Sequence, residues 1–128
     1  MTEIFVFGSN LLGKHGSGAA KYARENFGAV YGTGIGRTGN AYGIPTKSDP
    51  YTTLTLTEIV GYVDGFLAYA REHPERIFRV TRVGCGLAGY TDKDIAPMFG
   101  DAPDNCILPR GWSVWHDMRG LCWEWSGG

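Results

Sequence analysis

The chain has 128 residues, a length that fits one domain able to bury its own core without disulfide or metal staples. Its 12 basic and 13 acidic side chains give a formal net charge of -1, which excludes the global basic surface of many nucleic-acid-binding proteins. Because no stretch has the apolar length of a membrane span and no signal-peptide pattern opens the chain, we expect a soluble cytoplasmic protein with no membrane contact.

The three cysteines are an odd number without CxxC spacing, and the histidines are too scattered to complete a zinc site. We therefore expect reduced thiols, no disulfide-linked partner, no metal and no cofactor. Glycine is the compositional anomaly, with 20 residues that cluster at 8–18, 28–43 and 84–89. Such clusters beside strands indicate sharp turns or close approach of the backbone to another group.

The first half of the chain predicts a strand, a glycine loop and a helix. Residues 4–7 form an apolar run typical of a buried strand. Residues 19–27 are rich in helix formers, and Gly28 is a suitable C-terminal cap. Residues 32–40 have no periodicity, so we predict an ordered loop that leads into a short strand at 41–45.

The second half begins with a capping box, Thr55 to Glu58, that predicts the start of a helix. Its predicted buried stripe consists of Ile59, Val63, Phe66, Leu67 and Ala70, and Pro74 ends it. A strand at 77–83, a short helix from Thr91 that Pro97 restricts or restarts, and a strand at 106–108 follow. Strands alternating with helices predict an α/β layered domain over 1–128, with 111–128 as an aromatic hairpin appendage.

Residues 34–39 spell the dinucleotide-binding pattern G-x-G-x-x-G. That pattern binds phosphate only when a strand precedes it and a helix begins inside it, and neither neighbour is predicted here. The sequence therefore favours a turn-rich loop over a Rossmann dehydrogenase site.

The loop at 8–18 has the context that the other pattern lacks, since a strand precedes it and a helix follows. Free backbone N–H groups at the helix start could bind a phosphate, and the Asn10 amide could bind a ribose hydroxyl. The alternative is that Asn10 and the glycines only shape a tight turn.

A second glycine loop, 84–90, also follows a predicted strand, so its amides could reach the same edge of the sheet. Cys85 within it could be a nucleophile, but a packing role is favoured because no base is evident beside it. Lys47, after Pro45 and Thr46, could form a Schiff base with a sugar aldehyde or neutralise a phosphate, or be a solvated surface charge.

Three segments together, Phe7-Gly8-Ser9-Asn10, Ile44-Pro45-Thr46-Lys47 and Gly84-Cys85-Gly86-Leu87-Ala88-Gly89-Tyr90, resemble a macrodomain over about residues 4–100. The branch that it is most similar to contains the terminal ADP-ribose protein glycohydrolase and the DNA ADP-ribosyl glycohydrolase antitoxins. It also resembles small uncharacterised phage and bacterial proteins. The resemblance implies a three-layer α/β/α fold with a mixed central sheet, and a ligand or substrate that is ADP-ribose or ADP-ribosylated DNA or protein.

Residue by residue, the resemblance implies that Lys47 and Asn10 are catalytic, Lys47 at the anomeric carbon of the distal ribose and Asn10 through contact with this ribose. The implied ligand-binding residues are Gly8, Ser9, Asn10, His15, Gly16, Ser17, Gly18, Thr46, Gly84, Cys85, Gly86, Leu87, Ala88, Gly89 and Tyr90. Two departures stand out: the chain lacks the upstream strand whose acidic residue holds adenine in most macrodomains, and Ala88 replaces the aspartate of the protein-directed enzyme. The tail from Gly111 has no counterpart in the family.

The leading prediction from sequence is therefore hydrolytic removal of ADP-ribose from a macromolecule. The alternative is a non-catalytic binder that sequesters ADP-ribose or a related cyclic nucleotide, which the missing aspartate would explain. A third possibility is an interaction module that uses the aromatic tail. The tryptophans themselves favour hydrophobic bulk over a base-stacking platform, because no basic stripe accompanies them.

Overall fold

A computed structural model describes residues 3–116 and 122–125, and it confirms an α/β fold with a mixed sheet. The strands in these ranges are β1 (Glu3–Asn10), β2 (Gly36–Thr38), β3 (Ala41–Asp49), β4 (Thr52–Thr53), β5 (Ile77–Val80), β6 (Cys106–Pro109) and β7 (Cys122–Trp123). The α-helices are α1 (Gly18–Asn26), α2 (Leu56–Glu72) and α3 (Asp92–Ile95), and short 3₁₀ turns lie at Ala96–Phe99 and Arg110–Trp112. No helix in these ranges has both the length and the apolar composition to cross a membrane.

The sheet places β1 at its centre, in the order β2-β3-β1-β5-β6-β7. Strands β3, β1, β5, β6 and β7 run parallel, whereas β2 and β4 each pair antiparallel with β3. Ligands of open α/β sheets bind at the carboxyl ends of such parallel strands. The loops that follow β1 and β5 leave the sheet at that edge, as the sequence predicts.

The helix signals read from the sequence are confirmed. Thr55 Oγ1 accepts from Glu58 N–H at 3.2 Å, and the Glu58 carboxylate accepts from Thr55 N–H at 3.1 Å, so the capping box starts α2. All five residues of the predicted stripe on α2 are buried. Helix α1 ends before Gly28, whose φ of 75° lies in the left-handed region that favours glycine.

Alternate side chains of β1 enter two separate cores. Ile4 and Val6 pack in a cluster with the buried stripe of α2, while Phe5 and Phe7 pack in a cluster with Ala20 and Ala23 of α1. Because successive side chains of a strand point to opposite faces, α1 and α2 cover opposite faces of β1. This strand is therefore held from both sides, which fixes the position of the loop that follows it.

Three strand predictions need correction. Residues 36–38, expected to be loop, form β2 because they find a partner in β3. Strand β3 extends to Asp49 because β4 pairs with its far end, and β5 stops at Val80 instead of residue 83. In each case pairing with a neighbouring strand, which local sequence does not encode, sets the boundary.

The tryptophan-rich tail is built into the fold more closely than an appendage would be. Trp112 is completely buried in the α2 core, and Trp123 and Trp125 pack against the α1 core. Strand β7 joins the sheet edge, where it pairs in parallel with β6. The rest of the predicted hairpin, 117–121 and 126–128, lies outside the described residues.

Candidate functional site

Asn10 and Lys47 are neighbours at the carboxyl edge of the sheet. They are partners in the parallel pairing of β1 with β3, at a point where a register shift separates Ser9 from Asn10. Strands that pair in this way lie about 4.8 Å apart. The structure therefore brings together the two residues to which the resemblance gives catalytic roles.

The two glycine loops converge on the same place. A Cβ atom built on Gly8 would lie 3.4 Å from Thr46 Oγ1 and 3.5 Å from Gly84 N, so β1, β3 and the second loop touch there. A Cβ built on Gly18 would lie 3.9 Å from the Leu87 side chain, which joins the first loop to the second. We call residues 8–18, 46–53 and 84–90 the loop rim.

The side chain of Asn10 is buried and hydrogen-bonded within the first loop. Its Nδ2 donates to the Lys14 carbonyl at 2.9 Å, and its Oδ1 accepts from Lys14 N–H at 3.0 Å. Both ends of the amide thus close the turn, which is the turn-shaping role that the sequence left open for Asn10. One N–H and one lone pair of the amide are not used by Lys14.

Gly34 crosses the end of β1 so closely that a side chain would not fit. A Cβ at Gly34 would lie 1.9 Å from the Asn10 carbonyl oxygen, and the Gly34 carbonyl accepts from Ser9 Oγ. The G-x-G-x-x-G pattern is explained by this crossing and by a positive φ at Gly36 and Gly39, not by a dinucleotide. Sequence reasoning missed the contact because it joins segments 24 or more residues apart.

Lys47 is partly buried within β3. Its Nζ donates to the Pro50 carbonyl at 3.2 Å, in the turn between β3 and β4. The same turn carries Tyr51, which is 94% exposed. The amine is thus held by one carbonyl, which leaves two of its three N–H groups for a ligand.

The second loop is fixed at both ends. Asp92 at the start of α3 accepts from Arg82 Nε at 2.8 Å and from Trp112 Nε1 at 2.8 Å. The bond from Arg82 lowers the pKa of Asp92 below its usual value by more than burial raises it. On the other side, Tyr90 Oη donates to the Leu54 carbonyl at 2.7 Å and Thr53 Oγ1 donates to the Ala88 carbonyl at 3.2 Å. These bonds hold 84–90 against β4 and the residue that follows it.

Some of the predicted ligand-binding residues face open space. A Cβ built on Gly16 or Gly86 would meet no atom within 4 Å. Ser17, the N-cap of α1, makes no side-chain hydrogen bond to the helix, and the first turn of α1 contains no acidic residue. The backbone of both loops is therefore accessible to an anion at these positions.

Other predicted residues serve the packing of the rim. Ser9, Thr46 and Gly84 are buried, and Thr46 Oγ1 donates to the Ser9 carbonyl at 3.4 Å. The ring of His15 has no exposed surface, so in this conformation it lies under the first loop and not in contact with solvent. These side chains shape the rim from inside.

Cys85 has the properties of a packing thiol. Burial, together with the nearby Asp92 carboxylate, raises the pKa of its thiol to about 12. A thiol with such a pKa is almost entirely protonated at neutral pH, so it is a poor nucleophile.

We expect Cys85→Ala to keep any nucleotide-directed activity of the rim within about twofold of wild type. Iodoacetamide labelling of Cys85 in the wild-type protein should be slow at pH 8. Rapid labelling together with loss of activity would contradict this assignment.

A separate aromatic cleft lies near the other end of β1. Its lining includes Phe5, Tyr22, Phe27 and Trp125, with the Glu3–Arg79 ion pair at its edge. Its volume of about 70 Å³ is far below the roughly 300 Å³ at which small-molecule pockets begin, so it is not a nucleotide site. Across 3–116 and 122–125, no group of three or more His, Cys, Asp or Glu side chains could hold a metal ion.

Comparison of the chain with protein-family models, with curated proteins and with solved structures found no significant match.

Proposed function

We propose that this chain is a macrodomain-like ADP-ribosyl glycohydrolase that removes ADP-ribose from DNA or protein. The observation that carries the proposal is the pairing of Asn10 with Lys47 at the carboxyl edge of the sheet, between two glycine loops. The composition of the first part of the chain supports an anionic ligand, because residues 8–48 contain five basic residues and only one acidic residue. We also propose a cytoplasmic location, where a reducing environment suits three unpaired cysteines.

In this proposal the accessible backbone N–H groups of both loops bind the diphosphate, and Lys47 exchanges its bond to the Pro50 carbonyl for the distal ribose. The Lys47 amine, in its neutral form, attacks the anomeric carbon while the glycosidic bond breaks; the bonding electron pair leaves with the carrier, which takes up the proton that the new ammonium loses. The ribose ring of the adduct then opens to a Schiff base, and addition of water to its C=N bond releases ADP-ribose and regenerates the amine. Alternatively, the ammonium form stabilises charge that develops at the leaving group while water attacks directly.

The test is release of ADP-ribose from mono-ADP-ribosylated DNA and protein. We expect Lys47→Ala to lower the rate by about 100-fold or more, because it removes the group that acts at the bond being broken. Gly61→Ala is the matched control, since Gly61 is an exposed position of α2 where an added Cβ meets no atom within 4 Å. No release by the wild-type protein above the Lys47→Ala background would refute the proposal.

Two further measurements separate the roles of Lys47. Lys47→Arg keeps the positive charge but cannot form a Schiff base, so retained activity would indicate electrostatic stabilisation. Trapping of an ADP-ribose adduct by cyanoborohydride in wild type, and not in Lys47→Arg, would indicate covalent attack.

A second candidate function is a binder that sequesters ADP-ribose or a related cyclic nucleotide. The specific observation in its favour is Ala88, which provides no carboxylate in the second loop to resolve an adduct. Calorimetry would then show tight binding to both wild type and Lys47→Ala, without turnover.

Gly86→Ala should weaken binding for either candidate function without loss of stability, because its Cβ would enter the space above the loop. Failure to bind any such nucleotide would eliminate both candidates.

A further inference from the structure

The ring of His15 is a buried polar group whose two nitrogens make no well-formed hydrogen bond, although the Thr33 backbone lies close enough to influence it. It has 0% exposed surface, and neither Nδ1 nor Nε2 has a hydrogen-bond partner among the described residues. A buried polar group in this condition destabilises the fold, and an apolar side chain of similar shape would usually be tolerated or preferred in its place. The presence of histidine here therefore calls for a functional explanation.

The surroundings of the ring disfavour a positive charge. Phe7 of β1 packs edge-on at 5.3 Å between ring centroids, and Tyr31 of the 28–35 segment packs at 6.3 Å. From α1, Arg24 donates to the His15 carbonyl at 3.1 Å, and its guanidinium lies 5.9 Å from the centre of the Tyr31 ring. The neighbouring Lys14 is exposed. The charged groups on this side are therefore cations, and the remaining titratable neighbour is the Tyr31 phenol.

Burial lowers the pKa of His15 below its ordinary value; the Thr33 backbone offsets part of this effect, and the charge of Arg24 adds to it. The neutral ring is thus the form that fits the closed loop. Protonation would place an imidazolium beside a guanidinium and against aromatic rings, where it could not remain buried at low cost.

This ring is also the main side-chain attachment of its loop. Within residues 12–17, His15 is the one residue that buries a side chain, since Leu12, Lys14, Gly16 and Ser17 are exposed and Gly13 has no side chain. Other bonds that hold this stretch are Gly13 N–H to the Asn10 carbonyl at 2.9 Å, the two bonds of the Asn10 amide to Lys14, and Arg24 Nε to the His15 carbonyl at 3.1 Å. Removal of the ring from its site would therefore weaken the attachment of the loop between Lys14 and the start of α1.

We propose that His15 is a pH-controlled anchor of the first glycine loop, whose neutral ring holds the loop closed and whose protonation releases it. This pH dependence is a property of the loop itself and does not require that the ligand be ADP-ribose. The pKa of His15 is lower in the folded protein than its unfolded value of about 6.5. By proton linkage, the closed loop therefore loses stability as the pH falls from 6.5 toward the pKa of His15 in the folded protein. Across that window the opening equilibrium rises by up to about tenfold per pH unit.

The first measurement is a titration of the His15 ring by NMR in the wild-type protein. We expect its signals to stay those of a neutral ring below pH 6.5, and the amide protection factors of residues 8–18 to fall as it titrates, by up to about tenfold per pH unit. His73→Gln is the matched control, because His73 ends α2, contacts Glu75 at 3.3 Å and lies outside the loop rim. This variant should retain the full pH dependence of the loop.

The second measurement uses His15→Phe, which keeps a flat ring and cannot be protonated. We expect loop protection in this variant to equal or exceed that of wild type at pH 7.5 and to change much less between pH 7 and pH 5. A His15 ring that titrates near 6.5, protection that does not vary with pH in wild type, or the same pH dependence in His15→Phe would each overturn the proposal. The NMR titration decides the question even if His15→Phe does not fold.

Discussion

Gly34→Ala is expected to lower the free energy of unfolding by about 3 kcal/mol or more, because its Cβ has no space. The new atom would lie 1.9 Å from the Asn10 carbonyl oxygen and 3.2 Å from Gly13 N, which are backbone atoms and cannot rotate away. The crossing segment would have to move off the end of β1, and with it the Gly34 carbonyl that accepts from Ser9. Denaturant unfolding of wild type and variant measures this loss.

Gly65→Ala provides the comparison for that experiment. Gly65 lies on the exposed face of α2 with no atom within 4 Å of an added Cβ, so alanine should stabilise the helix by about 0.5–1 kcal/mol. The two substitutions add the same methyl group with opposite expected signs. Equal stability of Gly34→Ala and wild type would show that the 28–35 segment does not cross β1 as described.

Trp112→Ala is expected to cost about 3–5 kcal/mol, the range for truncation of a fully buried aromatic residue. Trp112 has no exposed surface and packs against Phe99 with ring centroids 4.9 Å apart. Its Nε1 also donates to Asp92 at 2.8 Å, so the substitution removes a contact that helps to fix the second loop. Thermal unfolding should show a large fall in Tm, and Trp112→Phe should show a smaller one.

Trp115→Ala is the control within the same segment. Trp115 is 39% exposed, so its truncation should cost much less than that of Trp112. Similar losses for the two variants would contradict the placement of Trp112 in the α2 core. The same placement implies that deletion of residues 111–128 would damage the fold, so point substitutions are the better test of an interaction role for the tail.

Local signals predicted the helices well. The capping box at Thr55, the helix start at Thr91 and the apolar stripe of α2 are each encoded within a few turns of sequence, and all are found in the structure. Gly28 marks the end of α1 for an equally local reason, since it adopts a conformation that other residues avoid. Pro97 falls where α3 gives way to a 3₁₀ turn, as its ring requires.

Features that depend on distant partners were missed or misjudged. Strand β2 forms because residues 36–38 meet β3, and no alternation in their sequence indicates a strand. The tail was assigned to an appendage because tryptophans alone do not reveal which core they enter. Trp123, whose Nε1 donates to the Val80 carbonyl at 2.7 Å, is bound to a strand 43 positions earlier.

The candidate site was predicted in outline and not in detail. Parallel strands ending in polar residues and glycine loops were sufficient to expect Asn10, Lys47 and the two loops at one edge. The enclosure of His15 could not be foreseen, because the loop that contains it has no periodicity and its cover comes from the 28–35 segment. The bond from Lys47 to Pro50 likewise depends on a turn that the sequence placed only loosely.

The bonds that join the β3–β4 turn to the second loop have a mechanical consequence. Thr53 is bound to Ala88 and Tyr90 to Leu54, so the β3–β4 hairpin that carries Lys47 and the segment from Gly84 to Tyr90 should move together as one rigid unit. A larger ligand at the loop rim would then displace the facing loop, residues 11–18, next to α1. Selection for ligands of different size is accordingly expected to alter residues 11–18 first.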